Sequence, residues 1–427
     1  LRMTGVEVSG EPLRVDLLPA EQAPIKFAVD YADTKKRTVF VADYAAELSP
    51  KKGMWPEIGD ELVGVNGQTF ADYFACVEPY NRYATLNGLW WRLAAKIPFK
   101  TAEYPPHFFA DKAQYVLKRA NGEVYELVLP YWPSETKLTW TGAWKQHGDQ
   151  RYPGFQLVFK TSTYQLFQQV QGKPMLILDW NKFDEQVMQN IDSLMSYADE
   201  HSLLDHAVIF DATRSGGGSL GAYVVQRLSS KPFKTTFGNL RISDVVEPFI
   251  EEMKARKAAG LPMVAEDGGG WLLDWLETDV RQALRQGRAY SNNVPFKLSH
   301  LPRNSDGIMQ PAALHFKGPL VCLLSPHGGS HLDQFAAMLA DNDLAHIIGM
   351  PAGGYSNTWE WEETLYFPIS KRPVVRLMYS MGHTIRPNGE LLEGNPADVD
   401  EYIPLTRSNY LGYHELLLSR ALSYLGL

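Results

Sequence analysis

The chain has 427 residues, too many for one ordinary core, so two or three domains are expected. Its composition, 45% hydrophobic and 21% charged with a net charge of −8, is that of a globular protein. With no basic run and no apolar run of roughly 18 residues, it excludes nucleic acid as a partner and offers no membrane span. The 11 Trp and 21 Tyr point to large packed surfaces or grooves. The chain opens on Leu1 with no signal-like stretch, which leads us to expect a mature or trimmed product. Cys76 and Cys322 allow at most one disulfide and no all-cysteine zinc site. Cys322, inside LVCLL, reads as a small buried hydrophobe.

Residues 1–133 read as a β-rich domain. RTVFVADYA, from Arg37 to Ala45, and DELVGVNGQ, from Asp60 to Gln68, are short strands bounded by turn residues. In AQYVLKRANGEVYELVLPYW two alternating strands flank Asn121-Gly122, which predicts a hairpin closed by a type I′ turn. MWPEIGDELVGVNGQTFADY resembles the late part of a PDZ domain: a Gly-Asp turn, a strand, and an Asn-Gly turn before a helix. An unrelated small β domain is the other reading.

Residues 134–154 look like a linker, and an α/β core is expected over 155–427. KPMLILDW is a continuous apolar strand. The next segment sets Val187, Ile191, Leu194, Met195 and Ala198 on one helix face, and DHAVIFDA is a second buried strand. Strand, helix and strand make a βαβ unit with a parallel sheet. GPLVCLLS and LAHIIGM continue that sheet, PVVRLMYS adds a strand, and YHELLLSRALSYLG a closing helix. Residues 244–303 read as a helical insertion on the core, either a lid or a plain surface excursion.

Two serine-bearing loops carry the chemistry. In FDATRSGGGSLGAYV, Gly217-Gly218-Ser219-Leu220-Gly221 fits the nucleophile-elbow pattern of α/β-hydrolases, which would make the protein an esterase using Ser219. The elbow is a tight strand-to-helix turn, however, and several polar and glycine residues intervene here. A broader loop whose amides point into a cavity fits better, with Ser219 as a helix N-cap. No P-loop ending and no dinucleotide fingerprint accompanies the glycines, so no cofactor is expected. In the second loop Ser330 follows Gly328-Gly329 at the start of a helix carrying Leu332, Phe335, Ala336 and Leu339. There it is either a nucleophile favoured by the helix dipole and first-turn amides, or a plain N-cap.

Four segments together, DATRSGGGS, SHLDQFAAML, GMPAGG and NGELLEGNPADVDEYIPL, resemble in order those of the C-terminal processing (tail-specific) serine proteases. The resemblance implies a ClpP/crotonase-like spiral core behind a PDZ-like domain. It also implies an endopeptidase acting on protein or peptide substrates. Ser330 becomes the nucleophile and Glu393 the supporting glutamate. The backbone of Gly217 or Gly218 and of His331 would hold the oxyanion. Family habit implies a periplasmic or secreted location, and nothing sets the oligomeric state.

No lysine lies between Ser330 and Lys371, which disfavours the Ser-Lys style of the family and leaves the tricorn-like Ser-His-Glu style. That style places its histidine before the PDZ-like domain, where LRMTGV has Met3. Methionine cannot take a proton. His383, ten residues before Glu393, is the best internal candidate, with His327 and His331 as rivals. Neighbours on a helix point about 100° apart, which disfavours the His331 ring. A relative that binds peptides without turnover is the competing function. No metal-ligand spacing is present, so no metal is expected.

Overall fold

The computed structural model describes residues 20–48, 55–101, 103–141, 151–260, 271–295, 306–356 and 359–426, and the short strands 2–3, 6–8 and 11–13. The chain divides into two compact units. One comprises 16–153 with 402–424; the other comprises 1–15, 154–401 and 425–427. Both units are therefore discontinuous in sequence, where a domain ending at 133 and a linker over 134–154 were expected. Residues 142–150 of that expected linker lie outside the described residues.

The first unit is built on β1 (Ile25–Asp30), β2 (Thr38–Tyr44), β3 (Glu61–Val65), α1 (Phe70–Val77), α2 (Leu86–Lys96), β4 (Lys112–Lys118) and β5 (Val124–Pro130). Its antiparallel sheet runs in the order β5-β4-β3-β2-β1. Alternation explains β4, whose Ala113, Tyr115 and Leu117 are buried while the residues between them are not. The β4–β5 hairpin is present, but Asn121 does not have positive φ, so its turn is not type I′. Gly122 alone is left-handed at φ 90°, and its amide donates to Arg119 O at 3.0 Å. The true two-residue turn with both φ positive is Asn66-Gly67, at 49° and 80°, joining β3 to the short strand Gln68–Thr69. The helix Tyr413–Tyr424 also belongs to this unit and not to the core that the closing helix was expected to join.

The second unit contains β6 (Phe155–Lys160), β7 (Tyr164–Gln169), β8 (Met175–Trp180), α3 (Val187–Glu200), β9 (Ala207–Asp211) and α4 (Gly221–Leu228). After these come β10 (Phe237–Leu240), α5 (Val246–Ala258), β11 (Leu320–Leu324), α6 (His331–Asp341) and β12 (His346–Gly349). Last are β13 (Glu360–Tyr366), β14 (Pro373–Ser380) and β15 (Gly382–Ile385). The central sheet has the order β6-β7-β8-β9-β11-β12. Strands β8, β9, β11 and β12 are parallel, as the βαβ pattern predicts, with β6 and β7 antiparallel at one edge. Every residue of β8 and β11 is buried, the expected state of strands covered on both faces. The predicted apolar face of α3, with Val187, Ile191, Leu194, Met195 and Ala198, packs into the same core as Phe210 and Phe335.

The stretch expected as a helical insertion holds α5 and the helices over 271–285, with residues 261–270 and 296–305 outside the described ones. Phe249, Ile250, Leu272 and Trp275 form there a second apolar cluster with Trp359 and Met381.

Candidate active site

The two loops singled out from sequence follow β9 and β11, neighbouring parallel strands, and both lie beyond the strands' carboxyl ends. They interlock. Asp211 ends β9 fully buried and turns the chain by accepting the Thr213 amide at 3.0 Å and hydroxyl at 2.6 Å. Ser325 Oγ donates to Thr213 O at 2.6 Å. A Cβ on Gly217 would lie 2.6 Å from Ser330 Cβ and 3.1 Å from the His331 amide. Only glycine permits this approach of backbone to serine.

The glycine loop is held from its other side. Gly216 N–H donates to Asn181 O at 3.1 Å, Phe183 N–H to Gly217 O at 3.2 Å, and Ser219 N–H to Phe183 O at 2.9 Å. A Cβ on Gly218 would collide with the Phe183 carbonyl. Among the described residues no protein acceptor takes the Gly217 or Gly218 amide.

Ser330 immediately precedes α6 with φ 62° and ψ −122°, a conformation that L-residues adopt only under constraint. Its side chain makes no capping bond to the helix, so the plain N-cap role is not the one it plays. Its amide donates to Tyr355 O at 2.8 Å. Residues 325–329 separate Ser330 from the end of β11 at Leu324, so it heads the helix from a loop and not from the tight strand-to-helix turn of an α/β-hydrolase elbow. In the first loop the corresponding strained residue before the helix is Leu220, at φ 67°, and not Ser219.

The remaining candidates are dispersed. His331 is buried, and its Nε2 accepts the Gly221 amide at 2.5 Å, so its ring anchors α4 to α6 while its backbone adjoins Gly217. His383 pairs with Asn239 in the β10–β15 ladder, and its ring lies 4.8 Å from that of Tyr290. The next residue, Thr384, bonds Ser356 O from the opposite face of the strand. His383 is thus turned away from Ser356 and the loop after β12, which bonds the Ser330 amide through Tyr355 O. Desolvation and then Arg241 hold its imidazole below the usual range. Met3 lies in the two-residue strand Arg2–Met3, in register with Val375 of β14; Thr4 and Gly5 are outside the described residues.

Glu393 sits on the turn whose Gly394 amide donates to Gly354 O at 2.8 Å. Desolvation pushes its carboxyl up against a hydrogen bond from the Ser356 amide. Asp333, for which the sequence raised no expectation, is fully buried and pushed from the ordinary 3.8 up to about 7. Burial is the main cause; Glu393 adds to it, and the amides of Gly354, Tyr355 and Ser330 oppose it. The available signal was its spacing from Ser330, which is that of a capping box.

A raised acid keeps a proton in the folded protein that the unfolded chain has released. The stabilisation it contributes is complete below pH 3.8 and is lost as pH rises through about 7. The unfolding free energy read from urea titrations is expected to fall across that window by on the order of 1 kcal/mol or more, and Asp333→Asn to flatten that pH dependence.

A cleft of about 480 Å³ opens beside the glycine loop, lined by Lys160, Tyr164, Asp179, Asn181 and Arg214. Arg214 Nη2 donates to Asp179 Oδ2 at 3.0 Å there. Among the described residues no group of three or more His, Cys, Asp or Glu could hold a metal ion. No helix among them is long and apolar enough to cross a membrane.

No family model and no curated protein sequence matches the chain. Among solved structures it is similar to mature CPAF at 16% identity and TM-score 0.65, over 96% of this chain and 84% of that one. Mature CPAF complexed with lactacystin aligns at 15% identity and TM-score 0.63, over 95% and 83%. The photosystem II D1 C-terminal processing protease aligns at 11% identity and TM-score 0.37, over 91% and 74%. The chain has the fold of CPAF.

Proposed function

We propose that the protein is a serine endopeptidase of the C-terminal processing type. Ser330 Oγ attacks a peptide carbonyl, its proton passes to a base, and the amine leaves with a proton as the acyl-enzyme forms. Water then releases the acyl group. The amides of Gly217 or Gly218 and of His331 receive the oxyanion. Glu393 supports the base electrostatically. The observation that carries this reading is Ser330 itself, strained at the head of α6 with Gly217 against its Cβ.

The substrate is a protein or peptide. In the first unit, edge strand β1 and helix α2 flank a groove of about 270 Å³ lined by Phe27, Val29, Trp91 and Ala94. An extended peptide tail adding to that edge would use it as a PDZ-like domain does. The family resemblance carries with it a periplasmic or secreted location.

The second reading, a peptide-binding relative without turnover, is favoured by one observation. The rings of His331 and His383 are both engaged away from Ser330, which leaves His327, in the loop before it and held below the usual imidazole range by burial, as the remaining internal rival. A serine-directed fluorophosphonate separates the two. An adduct mapped to Ser330 is expected, with lactacystin as a second probe because a structure of this fold holds it. No adduct on the folded protein would favour the binding reading, and an adduct on Ser219 would restore the esterase.

A further inference from the structure

One buried carboxyl links the two ends of the site, and its part in the chemistry rests on the proposed role of Ser330. Asp333 lies in the first turn of α6, three residues after Ser330, with no exposed surface. Its two oxygens each accept one amide of the loop after β12: Gly354 to Oδ1 at 2.8 Å and Tyr355 to Oδ2 at 3.2 Å. That loop is bonded to both proposed reactive partners. Tyr355 O accepts the Ser330 amide at 2.8 Å, Gly354 O accepts the Gly394 amide at 2.8 Å, and the Ser356 amide bonds the Glu393 carboxyl. The loop's flanks are pinned separately, Gly353 N–H to Gly328 O at 2.8 Å and Ser356 Oγ by Gln334 Nε2 at 2.6 Å. Asp333 holds its middle.

We propose that Asp333 is a positioning residue that fixes residues 353–356 and through them sets both the strained backbone of Ser330 and the place of Glu393. A charge out of water is costly unless matched, and two amides aimed at one carboxylate are the match. Burial outweighs that match, so the closed loop keeps the proton on Asp333 more readily than an opened one would. The loop therefore loosens as the proton leaves, close to neutral pH.

Among the described residues, His327 lies in the loop leading into α6, where burial holds its imidazole below the usual range. Glu393, on the turn after β15, favours the proton on Asp333. His331, on the same helix, is committed to the Gly221 amide. Arg386 is bound to Asp341 at the helix's far end. His383 is turned to the other face of β15. Burial, Glu393 and the amides thus govern the proton.

Hydrogen exchange at the Gly354 and Tyr355 amides tests this, read as protection relative to the unfolded chain at each pH. In the wild type, protection should fall about tenfold from pH 6 to pH 8.5. In Asp333→Asn it should be low and independent of pH, with Ser330 labelled by a fluorophosphonate about tenfold more slowly or worse. Asp333→Glu, which keeps the carboxyl, should recover part of both. The wild-type titration needs no variant, so misfolding of Asp333→Asn leaves the test standing. Flat wild-type protection, or an Asp333→Asn protein that protects and labels like the wild type, would overturn the proposal. Absence of labelling in the wild type itself would instead remove the nucleophile reading, while the exchange arm still decides whether Asp333 holds the loop.

Discussion

Ser330→Gly is expected to be more stable than the wild type and to hydrolyse no peptide. At φ 62° and ψ −122° a side-chain-bearing residue costs about 1–3 kcal/mol, which glycine avoids. Glycine returns part of that through the extra freedom of the unfolded chain, roughly 0.4–1 kcal/mol. The net gain is about 1 kcal/mol, read as a higher urea midpoint at unchanged slope. Strain kept at one serine in a region that glycine would fill more cheaply marks stability given up for function. Were Ser330 only a helix cap, its side chain would bond the first turn, and it does not.

Gly217→Ala should lower kcat by about a hundredfold or more while leaving the protein folded. The new methyl would stand 2.6 Å from Ser330 Cβ, 2.9 Å from Gly329 O and 3.1 Å from the His331 amide. It would push the serine and the proposed oxyanion donors apart at the place where the carbonyl must sit. Relief by small backbone shifts costs about 1–3 kcal/mol, within reach of a core of this size. Gly216→Ala is the internal control, since a Cβ there meets nothing within 4 Å. Its activity should stay within a few-fold of the wild type. Equal losses in the two variants would mean that the loop tolerates no side chain anywhere, and would dissociate Gly217 from the chemistry.

The parallel core was legible because each of its strands and helices announces itself locally. β8 and β11 are unbroken apolar runs, and α3 repeats its apolar residues at helical spacing. The ordered motifs also placed Gly217 beside Ser330 across more than a hundred residues of sequence, and the structure brings the two together. Turn chemistry was legible only in part. Asn66-Gly67 and Asn121-Gly122 are the same dipeptide, yet only the first adopts two positive φ values. The second sits in a longer loop closed by the Arg119 amide on Glu123 O at 2.9 Å, where one left-handed glycine suffices.

What the sequence withheld are choices made by docking. The helix Tyr413–Tyr424 has an evident helical pattern, but nothing in it says which core its apolar face will join. His383 stands in a strand where alternation decides its face, and the ladder with Asn239 sets that register. Asp333 reads as an ordinary capping acid, because its burial depends on a loop twenty residues further along the chain.

The most direct test of the central claim is hydrolysis of casein by the wild type and by Ser330→Gly at equal concentration. Turnover by the wild type, absent from a Ser330→Gly protein that is folded and more stable, is the predicted result. Equal turnover by both proteins would contradict the account, and so would a folded wild type that binds casein and leaves it intact.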